Sequence, residues 1–201
     1  MAKTKNDAEV SAIKLGETAR LLRLPPGVRD EKIEKGGKKV KVISIADLPQ
    51  AGYITSIKDS ITLSKDKHNS IEKYRIEPFD VLMSIQGTVG RVGVVSETIS
   101  GEVIANISLL AIRFIENKAD NAIALLQYLK SAAGRRLITR LQKGTTIKRI
   151  NVKELAAARI PALSADIKRR SKAVFDKEFA VLKEINKLYG SLEEIRKSYL
   201  S

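Results

Sequence analysis

Residues 79–95 read FDVLMSIQGTVGRVGVV. Most of this stretch is β-forming, yet glycines stand at 87, 90 and 93. Glycine weakens a strand interior unless the backbone needs it there. The pattern predicts a hairpin: a strand over 80–85, a tight turn at Gln86-Gly87-Thr88, and a return over 89–95. Gly87 supplies a positive φ at the turn. Gly90 and Gly93 remove side chains where another backbone, of protein or DNA, comes close. For Gly93 the preferred reading is a packed sheet corner. The stretch is not a nucleotide loop: GTVGRVG lacks the G-x-G-x-x-G spacing and does not lead into a helix.

The flanking sequence continues the β pattern. VKVISIADL places Val40, Val42, Ile43 and Ile45 in a buried strand. Residues 51–76 hold two short β-branched runs around a polar tip at 64–70, and GEVIANISLLAIRFI is another β-forming run. Residues 12–24 read as a short strand entering a helical turn. PPGVRDEKIEKGGKK is a loop by its prolines, glycines and mixed charge. The period then changes. Ile123, Leu126, Leu129, Leu137, Ile138 and Leu141 recur at helical intervals, ending at Lys143-Gly144. A short strand, a helical turn from Asn151 and an extended exit at Pro161 follow.

Residues 165–199 are the most regular part. Ile167, Val174, Val181, Leu188 and Ile195 recur every seven residues, and Ile185, Leu192 and Tyr199 fill the position four further on. Ser171 and Glu178 interrupt that second row, and Phe175, Leu182 and Tyr189 widen the stripe. Such a repeat predicts a helix about 50 Å long that takes a helical partner, in preference to lying wholly on its own domain.

The chain has 201 residues, 43% hydrophobic and 30% charged, enough for one domain and an appendage. It has no Cys and a single His, His68, which excludes disulfides, thiolate metal sites and a cysteine nucleophile. No apolar run approaches the roughly 20 residues of a membrane span. Residues 1–11 lack the apolar core of a signal peptide and read as a flexible start, so a cytoplasmic protein is expected. Thirty-seven Lys and Arg against 23 Asp and Glu give a net charge of +14, which points to a polyanion, nucleic acid before membrane.

The charge is concentrated. Between 128 and 159 there are nine cations and one acid, Glu154. Arg136 and Arg140 share a helix face. In KGTTIKR, Lys143, Lys148 and Arg149 supply charge, and Thr145, Thr146 and the backbone at Gly144 suit phosphate oxygens. A second basic segment, SKDKHNS, carries Lys65, Lys67, His68 and Asn69, with donors and acceptors that read base edges or, equally, a solvated turn. Gln86, Thr88 and Arg91 flank the hairpin turn. No phosphate-binding loop, methyltransferase tetrapeptide or nucleophile constellation is present, so recognition without catalysis is expected and no metal or cofactor.

Taken in order, IKLGETARLL, VISIADLPQAGYI, DVLMSIQGTVG and KGTTIKRINVKELAAARIPAL, followed by the long helix, resemble one half of the DNA-specificity subunit of type I restriction-modification systems. Leu163 stands where that family's second exit proline is usual. The resemblance implies an α+β fold: a β-rich target-recognition domain of mixed and antiparallel strands with packed helices, over 12–163, then a coiled-coil helix over 164–201. It implies recognition of double-stranded DNA, docking to a methyltransferase subunit that binds S-adenosylmethionine, and a restriction/motor subunit joining the complex. One recognition domain with one helix implies a half-subunit that pairs with a copy of itself, through Ile167, Val174, Val181, Ile185, Leu188, Leu192, Ile195 and Tyr199, to read a bipartite site. A basic RNA-binding module and a coiled-coil interaction protein of a restriction complex are the alternatives.

Overall fold

The computed structural model describes residues 11–25 and 37–199. Residues 1–10 of the flexible start expected over 1–11, and most of the loop expected over 25–39, lie outside the described residues.

In chain order the elements are β1 (Ala12–Lys14), α1 (Leu15–Thr18), β2 (Ala19–Leu22), β3 (Lys38–Ile43), β4 (Tyr53–Ile54), β5 (Asp59–Leu63), α2 (Lys65–Ser70), β6 (Val81–Ser84), β7 (Val92–Val95), β8 (Val103–Ala105) and β9 (Leu109–Phe114). Then come α3 (Lys118–Lys130), α4 (Ala132–Leu141), β10 (Gln142–Lys143), β11 (Arg149–Ile150), α5 (Val152–Ala157), β12 (Arg159–Pro161) and α6 (Ala165–Tyr199). The main sheet has the order β2-β9-β6-β7-β4, antiparallel except for the parallel β7–β4 edge. A second sheet, β5-β3-β8, mixes an antiparallel and a parallel pair. β1 closes on β12, and β10 on β11. The fold is the expected mixed α+β architecture with a long final helix.

Residues 79–95 form the centre of the main sheet, and both of its faces are covered. Val81, Met83, Val92, Val94, Leu110, Ile112 and Phe114 point to a core shared with α3, α4 and α5. Leu82, Val95, Leu109 and Ala111 point to a second core shared with Ile43, Val103 and Ala105 of the smaller sheet. A sheet buried on both faces reads as a continuous apolar run, which is why strict alternation is missing from VLMSI and VGVV. One ion cluster crosses this interior. Arg113 on β9 donates to both carboxylate oxygens of Asp80, at 2.8 and 2.7 Å, and to the Arg75 carbonyl. Asp80 is 1% exposed.

Several expectations are corrected. The return strand begins at Val92, not at 89, and residues 85–91 form the connection in place of a three-residue turn. The helical run after 117 is two helices, because Ser131 leaves the helical conformation (ψ 165°) and caps α4 through its hydroxyl. Lys143 lies in a strand rather than at a helix end. GEVIANISLLAIRFI is two strands in two different sheets. The polar tip at 64–70 is the helix α2.

Helix α6 begins on the domain and then leaves it. Phe175 is buried, and Tyr53 meets Phe175 and Phe179 edge-on at centroid distances of 5.1 and 4.8 Å. Phe175 therefore faces the domain instead of widening the stripe. Beyond it Val181, Ile185, Leu188, Leu192, Ile195 and Tyr199 are exposed, as is Val174 before it. Among the described residues no helix is long and apolar enough to cross a membrane.

Candidate nucleic-acid interface

The main-sheet hairpin and the basic segment meet. The Gly87 amide donates to the Lys148 carbonyl at 3.1 Å, the Ile150 amide donates to the Ile85 carbonyl at 2.9 Å, and Gln86 bridges Arg149 in antiparallel register. The β6–β7 connection thus forms one edge with the β10–β11 hairpin, although 62 residues separate Gly87 from Arg149 in sequence.

Two glycines make this edge possible. Gly87 has φ 76° and a Cβ there would meet nothing, so it answers only a turn requirement. Gly90 has φ 91°, and a Cβ there would lie 2.8 Å from Cγ2 of Ile138. Its missing side chain lets α4 approach, so the close neighbour is protein. At Gly93 a Cβ would press on Ile54 at 3.1 Å, a packed sheet position. The connection is held from inside by Ser84, whose hydroxyl donates to the Thr88 carbonyl and accepts from the Arg91 amide.

Around this edge Thr88, Lys143, Thr145, Thr146, Lys148 and Arg149 are exposed, and Gln86 is half-buried. Lys143 is not a free cation, because it pairs with Glu154, which sits in the first turn of α5. Asn151 caps that helix, accepting from the Lys153 amide at 2.9 Å, and so fixes where β11 ends. Arg136 and Arg140 are exposed on α4. Both lie close enough to oppose the effect of burial, which pushes the Tyr128 hydroxyl above its ordinary value. Arg91 is exposed, yet its guanidinium donates to the Leu48 carbonyl at 2.6 Å and braces the neighbouring loop.

The other basic segment lies elsewhere and differs from expectation. Within α2, Lys65 and Asn69 are exposed and Lys67 is half-buried. His68 is buried against Glu102 and near Arg75, so its ring serves the fold and is not presented to a groove. Glu102 is held below the ordinary glutamate value, first by the His68 hydrogen bond, with Arg75 at 2.9 Å adding to it.

The cations of KGTTIKR and the glycine hairpin each carry a signal in the sequence, but their pairing carries none, because a two-residue ladder such as β10–β11 leaves no periodic pattern.

Residues 14–171 match the family model of the type I restriction modification DNA specificity domain. Solved structures share the fold. A chain from a type I R-M system, studied for complex assembly and conformational transition, has a TM-score of 0.58 at 20% identity, covering 91% of this chain and 41% of that one. The S subunit from M. genitalium gives 0.51 at 16% identity, with 98% and 45% covered. The HsdS subunit from Thermoanaerobacter tengcongensis gives 0.53 at 19%, with 89% and 39% covered. The chain therefore spans less than half the length of these structures. No curated protein sequence matches it. Since the match runs from β1 into α6, across both the glycine hairpin and the basic edge, the chain belongs to the type I restriction modification DNA specificity domain family.

Proposed function

We propose that this chain reads one half of a bipartite double-stranded DNA sequence for an adenine methyltransferase complex, without catalysing a reaction itself. The edge where the β6–β7 connection is hydrogen-bonded to the β10–β11 hairpin carries this reading. It presents Gln86 and Thr88 beside Lys148 and Arg149, that is, groups able to read bases beside groups able to hold phosphates. A two-stranded ribbon of this kind fits the major groove. Lys65, Lys67 and Asn69 on α2 belong to a second basic surface, and Arg136 and Arg140 extend the first.

The exposed stripe on α6 supports a two-fold pair of chains, the helices holding two recognition domains apart by at least one DNA turn of about 34 Å. The same helix is then the docking surface for the methyltransferase subunit, which supplies S-adenosylmethionine, and for any motor subunit that joins. The test is selection of bound sequences from a randomised duplex pool with the methyltransferase partner present. Enrichment of a split, symmetric sequence is expected; a pool that stays random removes the reading. Preference for RNA over duplex DNA would favour the other class of basic module.

A further inference from the structure

Outside α6, the large apolar side chains exposed among the described residues are Ile115 and Ile147. Ile147 stands at the tip of the β10–β11 hairpin, 52% exposed, between exposed Thr146 and Lys148. An isolated exposed isoleucine needs no explanation, but this one is held in place. The strands below it pair as Gln142 with Ile150 and Lys143 with Arg149. Its carbonyl lies 2.5 Å from where a Cβ at Gly144 would be, so the tip closes tightly on a glycine at φ 96°. Beyond the tip, the Lys148 carbonyl and the Ile150 amide are fixed to residues 85–87. The fold therefore presents an apolar side chain at the end of its most cationic edge, on a hairpin anchored below the tip. A solvated phosphate-binding tip has no use for such a group.

We propose that Ile147 is a specificity-determining residue that packs against the C5-methyl group of a thymine in the major groove. This rests on the DNA-reading function above. Phosphates and sugars offer little apolar surface to a β-branched side chain, whereas in the major groove thymine alone shows a methyl group, where cytosine has only a C5–H. Lys148 and Arg149, next to it in the chain, hold the phosphate backbone, and Ile147 at the tip enters the groove beside them. The contact distinguishes thymine from cytosine at one position without a hydrogen bond.

The experiment begins from the duplex enriched in the selection above. Each thymine is replaced in turn by deoxyuridine, which lacks only the methyl group, and binding is measured for the wild type and for Ile147→Ala. With the wild type, one replacement weakens binding about fourfold, the factor for one buried methyl-sized group. Ile147→Ala weakens binding to the original duplex by a similar factor and shows no further loss on that deoxyuridine duplex. Unchanged thermal unfolding of Ile147→Ala shows that the fold is intact. Losses that multiply, or the same loss on every duplex including random sequence, overturn the proposal while leaving DNA reading in place. So does an enriched sequence that no deoxyuridine replacement affects. If no sequence is enriched, the failure belongs to the DNA-reading function itself.

Discussion

Lys130 and Glu178 bind the long helix to the domain that precedes it. The Lys130 ammonium lies 3.0 and 2.9 Å from the two carboxylate oxygens of Glu178, and it also donates to the Ala51 carbonyl at 3.0 Å. Gln127 donates to the same carboxylate at 2.9 Å. Glu178 breaks the seven-residue stripe because it serves the domain instead of a partner helix. Glu178→Leu should therefore separate two measurements. Domain stability should fall by about 1 kcal/mol, the scale of a partly exposed pair, while the paired state of α6 should be unchanged because residue 178 faces the domain and not the seam. Denaturant unfolding and sedimentation equilibrium measure the two. A change in the paired state as well would mean that residue 178 lies at the partner surface.

Further along α6 the stripe is open. Val181 is 59% exposed and Leu188 64%, so neither is needed by the isolated domain. Replacing both with Glu should leave the domain folded and the chain monomeric, since like charges would then face one another across a dry seam. An unchanged dimer mass in light scattering would rule out pairing through this face.

The basic edge allows cations to be ranked. Lys148 and Arg149 are exposed at the hairpin, whereas Lys143 is paired with Glu154. Neutralising Lys148 or Arg149 should weaken binding to all duplexes alike and lower the salt dependence by about one ion each. Lys143→Met should change the slope less. Gln86→Ala and Thr88→Ala should instead alter which bases are preferred, with the slope unchanged. If the two sets of variants behave alike, the division into phosphate and base contacts fails.

How much of this was legible in the sequence depended on how far each signal extends. The α6 stripe was readable because it keeps its period over many residues, and the strands of residues 79–95 because each is a continuous β-forming apolar run. The meaning of Gly90 was not, because its neighbour, Ile138, is distant in sequence and arrives only when α4 packs. His68 misled for a related reason. In sequence it sits among lysines and looks solvated, yet α2 turns it inward to Glu102, an acid on another strand's approach. Phe175 and Val174 are adjacent in the same helix, and only tertiary packing decides which of them is covered. The candidate site suffered most, because it is assembled from two short connections with no periodicity of their own.

The Arg113 cluster makes acid titration informative. The Glu77 carboxylate accepts from Lys118 at 2.6 Å and Arg113 at 2.5 Å, while its backbone amide donates to Asp80 at 2.8 Å. The Lys118 hydrogen bond is the largest cause holding its carboxyl below the ordinary value of 4.5. Burial pushes Asp80 above its ordinary 3.8, against the pull of Arg113. The signs are therefore opposite. The contribution of Glu77 is complete above 4.5 and is lost as pH falls through its lowered value. The contribution of Asp80 is complete below 3.8 and is lost as pH rises through its raised value. Unfolding of wild type, Glu77→Gln and Asp80→Asn should be followed between about pH 6 and pH 3. The advantage of wild type over Glu77→Gln should shrink on acidification, and its advantage over Asp80→Asn should grow. If both differences move in the same direction with pH, burial is not what governs Asp80.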